Sequence, residues 1–225
     1  MNTICIIPAR MASTRLPGKP LLKKQGVTLI ETVWRQCEQT GFDVAVATDH
    51  HEIKHTVESF GGQVIMTNPQ TSTGSDRCAE ASKGKNYDKV INVQGDMPYI
   101  TPQQILDCAS ILDHHDIGTL IYEMSSQEQN NPNSVKCIAV EKQGIFDCRW
   151  FGRMAVPYGY HHAGIYAYRH DVLALFRNLA QGKYEQHEKL EQLRWLENDF
   201  KIHAVMTTPI QGEINTLQDY ELWCD

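Results

Sequence analysis

The sequence has little of what marks membrane-inserted, exported or nucleic-acid-binding proteins. In its 225 residues, no apolar run approaches the ~18 residues that a helix needs to cross a bilayer. The first apolar stretch is short and is followed by arginines and prolines, so we expect no signal peptide and a cytoplasmic protein. The net charge of −6 leaves no surplus of cations, which argues against general nucleic-acid binding.

Cysteine is present without the spacing of a disulfide framework or a zinc site. The number of cysteines is odd, and no C-x-x-C pair occurs among them. We therefore expect neither kind of site and predict that most of these side chains are small buried apolar groups in a reducing cytoplasm. The seven residues are Cys5, Cys37, Cys78, Cys108, Cys137, Cys148 and Cys224.

The composition, 41% hydrophobic and 21% charged, is typical of a globular protein with a real core. In the first half, short β-branched runs alternate with helical patterns, one of which opens on the capping box Thr28-x-x-Glu31. This alternation predicts a parallel sheet with helices on both faces. The expected strands are 4–7, 44–47, 64–66 and 90–93, and the expected helices are 28–40, 50–60, 75–82 and one starting at 101.

The second half is richer in strands. Strands are expected at 117–124, 134–141, 145–150, 163–168 and 200–206, and helices at 171–180, 186–197 and from about 216. The polar stretch 125–133 is interpreted as a loop within the domain. We expect one domain covering residues 1–225, composed of two halves, 1–116 and 117–225.

Three cationic side chains follow the first strand, whose apolar run ends at Pro8: Arg10, Arg15 and Lys19. Ligands of open α/β sheets bind beyond the carboxyl ends of the strands, and Arg and Lys both suit phosphate oxygens. The segment is neither a Walker A loop nor a Gly-x-Gly-x-x-Gly fingerprint. It is therefore either a polyphosphate-binding loop or a solvated surface loop.

Two further strand ends, Thr48-Asp49 and Gln94-Gly95-Asp96, should reach the same edge of the sheet. A carboxylate directly after a buried strand can hold Mg²⁺ against the phosphates of a nucleotide, because Mg²⁺ takes one or two carboxylates with phosphate oxygens and water. The alternative for Asp96 is a turn residue that satisfies backbone N–H groups.

Three other features are candidates for ligand binding. The segment 71–77 enters a helix whose N–H groups could contact a base or a phosphate, or it is an ordinary cap formed by Ser75 or Asp76. His162 precedes a strand and could contact a ligand or be a structural histidine. A helix face carrying Glu188, Glu191, Gln192 and Arg194 could bind a polyhydroxylated ligand or be merely solvated.

Six short segments of the sequence, taken in their order along the chain, carry a resemblance to a known family. They are Ile-Pro-Ala-Arg-x-Ala-Ser-Thr-Arg-Leu-Pro-Gly-Lys-Pro-Leu (7–21), Val-Ala-Thr-Asp (46–49), Thr-Gly-Ser-Asp-Arg (73–77), Val-Gln-Gly-Asp (93–96), Gly-Ile-Tyr-Ala-Tyr-Arg (164–169) and Lys-Leu-Glu-Gln-Leu-Arg-x-Leu-Glu (189–197). From residue 4 to about 221 the chain resembles the 3-deoxy-manno-octulosonate cytidylyltransferase (CMP-Kdo synthetase) family. The first segment combined with Val-Gln-Gly-Asp is highly specific.

The resemblance implies a nucleotide-diphospho-sugar transferase (Rossmann-like) fold with a mixed, mostly parallel sheet. It implies a Mg²⁺-dependent reaction in which the anomeric hydroxyl of an acidic 2-keto sugar attacks the α-phosphate of CTP, giving a CMP-sugar and pyrophosphate. The product would feed lipopolysaccharide synthesis. Residues 1–116 would bind the nucleotide, 117–225 would bind the sugar and form the interface of a homodimer, and no nucleic acid or membrane insertion is expected.

The resemblance also implies roles for individual residues. On the nucleotide side, Arg10, Arg15 and Lys19 would hold the triphosphate, and Thr73, Ser75 and Arg77 would help to form the cytidine pocket. Gln94 and Asp96 would flank the reacting phosphate, with Asp96 as metal ligand and Lys19 and Arg15 as its catalytic partners. On the sugar side, His162, Glu191 and Gln192 would line the site, and Arg153 would face the sugar carboxylate or the phosphates.

Two departures from the family pattern leave alternatives open. Asn215-Thr216 stands where the family has Asp-Thr, so Asn215 would be a neutral second metal ligand unless Glu213 replaces it. The loop covering the sugar is compressed to residues 153–162. The substrate could therefore be a different nonulosonic or amino-octulosonic acid, or the chain could be a weakened paralogue that only binds nucleotides.

Overall fold

The computed structural model describes residues 1–12 and 15–224. Residues 10–19, which carry Arg10, Arg15 and Lys19, are called the cationic loop below, and its residues 13 and 14 lie outside the described residues. The strands are β1 (Thr3–Ala9), β2 (Lys23–Lys24), β3 (Val27–Thr28), β4 (Asp43–Thr48), β5 (Gln63–Met66), β6 (Lys89–Asn92), β7 (Ile117–Glu123), β8 (Lys136–Lys142), β9 (Ile145–Gly152), β10 (Tyr160–Arg169) and β11 (Ile202–Met206). The helices are α1 (Leu29–Glu38), α2 (His51–Ser59), α3 (Gly74–Ser82), α4 (Pro102–Ser110), α5 (Ser126–Asn130), α6 (His170–Leu175), α7 (Lys183–Glu188), α8 (Leu193–Glu197) and α9 (Leu217–Cys224).

Within the described residues, nine strands form one sheet in the order β5-β4-β1-β6-β10-β7-β11-β9-β8, and β2 and β3 form a separate hairpin. The strands β5, β4, β1 and β6 are parallel, as the alternation of strands and helices in the first half predicts. Only β10 and β9 run against the direction of the other seven strands. The predicted fold class, a mixed and mostly parallel sheet with helices, is confirmed.

Side chains of β1 alternate between the two faces of the sheet, as expected for a buried strand. Cys5 and Ile7 pack in a core with α1, α2 and α4, whereas Ile4 and Ile6 pack in a second core with α3, α6 and α8. Helices therefore cover both faces. Six of the seven cysteines are buried, which confirms the expectation from their scattered positions. Across residues 1–12 and 15–224, no helix is both long and apolar enough to span a membrane.

The first strand continues through Pro8 to Ala9, two residues beyond the predicted end. Its ladder with β6 ends at Ile6, so proline, which has no N–H to donate, does not interrupt that ladder. On the other side, the register with β4 runs on as far as Ala9 and Thr48. The cationic loop therefore starts beyond the end of the ladder between β1 and β6.

Two predictions about helices in the second half are wrong. The segment 125–133 contains the short helix α5, which a capping box between Ser125 and Glu128 starts. The helix expected at 186–197 is two helices, α7 and α8, separated at Lys189. The break has a tertiary cause, because Arg194 bonds both carboxylate oxygens of Glu185. In one continuous helix these residues would be roughly 13 Å apart along the axis and on opposite faces.

Candidate active site

Two cavities open side by side beyond the carboxyl ends of β1 and β6. The first cavity, of about 630 Å³, is lined by the end of β1, the cationic loop and the loop before α3. The second cavity, of about 670 Å³, is lined by parts of β7 and β10 and by the segment before α9. They share a wall, so the two cavities adjoin each other. The shared residues are Arg15, Gln94, Lys189, Leu190, Glu191 and Asn215.

The structure brings the predicted cations together in the first cavity. Lys19 Nζ lies 2.6 Å from Asp96 Oδ2 and 3.3 Å from Asn215 Oδ1. Arg15 Nη2 donates to the same Asn215 oxygen over 3.2 Å, and Arg10 lines the cavity. The interpretation of this segment as a solvated surface loop whose charges do nothing is wrong, since Lys19 and Arg15 contact residues from two distant parts of the chain, Asp96 and Asn215.

The cationic loop is held in place by packing as well as by charge. Leu16 is buried in a small core cluster with Leu29, Ile214 and Trp223. Gly18 has a φ of 70°, in the left-handed region that glycine adopts without a steric penalty. The C-terminal helix α9 therefore supports the loop that faces the first cavity.

Asp96 has one carboxylate oxygen without a partner. Its Oδ2 accepts from Lys19, but its Oδ1 is buried and has no hydrogen-bond partner among the described residues. The backbone packs closely here, because a Cβ added to Gly95 would lie 3.2 Å from the carbonyl oxygen of Pro8. The Asp96 carbonyl accepts from the N–H of Ile214 over 3.0 Å. Asp96 is therefore fixed, with a buried acceptor whose partner is missing.

A second carboxylate, that of Glu213, lines the second cavity near the Asp96 carboxylate. Its Oε2 accepts from Asn215 Nδ2 over 3.0 Å. The pKa of Glu213 is raised to about 7, first because nearby protein reduces the hydration of the carboxylate and then because Asp96 is negatively charged nearby, although Glu213 is still exposed to solvent. The side-chain oxygens of Asp96, Asn215 and Glu213 thus lie close together. Negative charge on both carboxylates at once is unfavourable.

Helix α3 starts one residue earlier than predicted, so its capping residue differs from the predicted one. The cap of α3 is Thr73, rather than Ser75 or Asp76, and its Oγ1 accepts from the N–H of Asp76 over 3.1 Å. Thr73 and Arg77 line the first cavity. The Arg77 guanidinium also donates to Thr67 and, over 3.2 Å, to Asp49. Asp49, the third predicted strand-end residue, therefore orients Arg77 and is absent from the walls of both cavities.

Ser75 lies behind the cavity wall instead of on its surface. It is buried, and its Oγ donates to Glu191 over 2.7 Å and contacts Tyr168. Burial raises the pKa of Glu191, which lines both cavities. Gln192 is also buried and lines the second cavity, and its Nε2 has no partner within the described parts of the chain. This donor is buried in a residue that lines the second cavity.

His162 lines the second cavity but is anchored behind its surface. Its Nε2 lies 3.0 Å from Thr119 Oγ1, and its ring is buried. Burial, with a smaller contribution from the adjacent His161, lowers the pKa of His162 to about 3. The ring is therefore neutral in the folded protein at neutral pH.

We expect His162 to stay neutral between pH 5 and pH 8, which NMR titration of the labelled imidazole will test. The unfolded chain takes up this proton near pH 6.5 and the folded protein only near pH 3. The contribution of His162 to stability is therefore fully present above pH 6.5 and is lost as the pH falls towards 3. A ring that titrates near pH 6.5 in the folded protein would contradict this assignment.

Arg153 forms part of the wall of the second cavity and is not in the first. Its Nε donates to the carbonyl oxygen of Glu188 over 3.4 Å, and its Nη1 donates to that of Asn133 over 3.1 Å. Its backbone N–H donates to the Glu188 carboxylate over 3.0 Å. Arg153 therefore braces the end of α7, a role that the sequence did not indicate.

The predicted ligand-binding face of a single helix 186–197 does not exist. Arg194 is buried against Asp76 and Glu185, and Glu188 is bound to Arg153. Sequence reasoning also missed Lys189, which lines both cavities. The only signal was its position as the first residue of the segment 189–197.

Comparisons with known proteins identify the family of the chain. A family model described as cytidylyltransferase matches residues 4–202. A 3-deoxy-manno-octulosonate cytidylyltransferase of Cytophaga hutchinsonii is 40% identical, covering 97% of this chain and 95% of its own length. The enzyme of that name from Bradyrhizobium sp. is 42% identical, covering 97% of this chain and 94% of its own length.

Solved structures give the same result. A CMP:2-keto-3-deoxy-manno-octonic acid synthetase complexed with CTP superposes with a TM-score of 0.93 and 33% identity, covering 100% of this chain and 97% of its own. A UDP-glucose pyrophosphorylase, at a TM-score of 0.73 and 14% identity over 98% of this chain and 96% of its own, shares the fold. With the family match and the relatives at about 40% identity, these findings show that the chain belongs to the cytidylyltransferase family and, within it, to the 3-deoxy-manno-octulosonate cytidylyltransferases.

Proposed function

We propose that this protein transfers CMP from CTP to the anomeric hydroxyl of 3-deoxy-manno-octulosonate and releases pyrophosphate. The observation that carries the proposal is the shared wall between a cavity lined by cations and a second, polar cavity. A nucleotide in the first cavity and a sugar in the second would meet at this wall. The names of the relatives and of the structure complexed with CTP support the identities of both substrates.

Nucleotidyl transfer requires positioning and charge stabilisation more than covalent help from the protein. A bond forms between the sugar oxygen and the α-phosphorus, the bond from the α-phosphorus to the pyrophosphate oxygen breaks, and the hydroxyl loses its proton. Arg10, Arg15 and Lys19 line the first cavity and would hold the phosphates there. As fixed cations they would stabilise the negative charge that develops on the leaving pyrophosphate.

The donor set fits magnesium. Asp96 has a buried oxygen without a partner among the residues described, and Glu213 and Asn215 bring further oxygen atoms nearby, although Asn215 Oδ1 accepts from Arg15 and Lys19 in this structure. Mg²⁺ prefers such oxygen ligands and takes few from the protein, since phosphates and water supply the others. We propose Asp96 and Asn215 as its ligands, with Glu213 as the carboxylate that can make up for the neutral Asn215. When bound, the ion supplies positive charge beside the α-phosphate.

The other implied roles follow the division into two cavities. We propose that Thr73 and Arg77 contact the cytidine and that Ser75 shapes this pocket from behind through Glu191. Gln94, on the shared wall, would lie beside the reacting phosphate. His162, Gln192 and Arg153 would form the sugar site, together with Glu191. As the family resemblance implies, we also propose a cytoplasmic homodimer that serves lipopolysaccharide synthesis, with residues 1–116 and 117–225 as its two functional halves.

Pyrophosphate release tests this proposal directly. With CTP and Mg²⁺, we expect turnover with 3-deoxy-manno-octulosonate and slower turnover with its amino-substituted relative and with a nonulosonic acid. UTP in place of CTP is the control for the nucleotide. Binding of CTP without release of pyrophosphate for any of the sugars would contradict the proposal, and faster turnover of another acidic sugar would change the assigned substrate.

A further inference from the structure

Lys189 is a cation at the boundary between the two cavities to which neither the sequence nor the comparisons assign a role. It lines both cavities, and its side chain is exposed. Among residues 1–12 and 15–224, no group forms an ion pair or a side-chain hydrogen bond with it. Two other cations of the site are already paired, Lys19 with Asp96 and Arg15 with Asn215. The ammonium group of Lys189 is thus available for a ligand.

The backbone at Lys189 is in an unfavourable conformation for lysine. Its φ of 56° and ψ of 46° place it in the left-handed region, where it ends α7 with an N–H bond to Glu185 of 2.9 Å. Glycine adopts this conformation without the steric penalty that any other side chain brings. Of the four non-glycine residues with positive φ in the described part of the chain, only Lys189 lines the two cavities, so the strained backbone coincides with the candidate site.

Arg153 holds this turn in place. Its side chain and its backbone N–H bind the carbonyl and the carboxylate of Glu188, the residue directly before Lys189. A third bond ties its guanidinium to the carbonyl of Asn133. Because Nε and Nη1 of Arg153 are bonded to the protein, only its Nη2 is left to contact a ligand, whereas the whole ammonium group of Lys189 is available beside it.

We propose that Lys189 binds the carboxylate of the acidic sugar where the sugar meets the α-phosphate of CTP. This inference rests on the function proposed above. Both substrates are anions, so they repel each other as they approach, and a cation on the shared wall lowers that repulsion. The cation should matter more for the second, sugar ligand than for CTP, which already has the cationic loop.

Two variants test the role of the side chain. Lys189→Gly relieves the backbone and removes the charge, whereas Lys189→Asn removes the charge but keeps a residue that tolerates this conformation. For both we expect the KM for the sugar to rise at least tenfold, the loss typical of a charged hydrogen bond. The dissociation constant for CTP alone should change less than threefold, and the melting temperature of Lys189→Gly should be equal to or above that of the wild type.

The chain offers a matched control in Gln143, whose φ of 55° is also left-handed and which lies in the turn between β8 and β9, outside both cavities. Gln143→Gly should affect stability in the same direction and leave the kinetics unchanged, and Lys189→Arg should keep the KM within threefold. If the wild type turns over normally, two results overturn this inference and leave the proposed function intact. One is an unchanged KM for the sugar in Lys189→Gly and Lys189→Asn, and the other is a loss of CTP affinity as large as the rise in that KM. Absence of wild-type turnover overturns the proposed function as well.

Discussion

Replacing Asp96 with alanine should lower kcat for CMP transfer by at least 100-fold while the protein remains folded. The substitution removes the buried oxygen without a partner and the carboxylate bound to Lys19 over 2.6 Å. Loss of one preorganised charged group of this kind typically costs about 10²–10³ in rate. Lys19→Ala should have an effect of the same size, because Lys19 bonds both Asp96 and Asn215. Pyrophosphate release at saturating substrates measures both.

Asp113 provides the matched control for Asp96. It pairs with Lys89 at the same distance, 2.6 Å, but its side chain is 57% exposed and it lies outside both cavities. We therefore expect Asp113→Ala to keep kcat within about twofold of the wild type, since neither Asp113 nor its partner Lys89 lines a cavity of the site. Circular dichroism checks that all variants are folded. Near-normal turnover by folded Asp96→Ala would remove this residue from the mechanism.

Replacing Arg194 with leucine should lower the free energy of unfolding by about 3–5 kcal/mol. The guanidinium bonds the buried Glu185 over 2.6 Å and the buried Asp76 over 3.2 Å, and it lies 4.0 Å from the ring centre of Phe176. Leucine leaves both carboxylates in the interior without their cation, which is far more costly than losing an exposed pair. For a protein of this size the melting temperature should fall by about 6–20 °C.

Arg177→Leu is the control, because Arg177 lies near Arg194 in the chain but its side chain is 45% exposed and 3.7 Å from its partner Glu80. Arg177→Leu should change the free energy of unfolding by less than about 1 kcal/mol. Urea unfolding of both variants gives the comparison. Similar stabilities for the two would mean that solvent reaches Glu185 and Asp76 when Arg194 is absent.

The sequence predicts features that depend on local patterns. Strand β1 and helix α1 follow from alternating apolar residues and from Thr28, whose hydroxyl accepts from the N–H of Glu31 as in a capping box. Only half of that box forms, because the Glu31 side chain binds Arg35 instead. The convergence of Lys19 and Asp96 also follows from the sequence, since both lie in loops that follow neighbouring parallel strands of one sheet.

Other features depend on contacts that no local pattern contains. The break at Lys189 exists because Arg194 reaches back to Glu185, a contact between residues nine positions apart. The burial of Ser75 depends on the phase of α3, since each residue turns a helix by about 100°. With Thr73 as the cap, Ser75 points towards Tyr168 and away from the first cavity.

The position of β10 in the sheet has a consequence for synthesis of the protein. It lies between β6 and β7, although it follows β6 by some seventy residues in the chain. Until residues 160–169 have left the ribosome, one edge of β6 has no neighbour, and the nascent chain exposes a short apolar strand to other chains. A gene split after residue 116 would therefore yield an aggregation-prone fragment instead of a separate nucleotide-binding module.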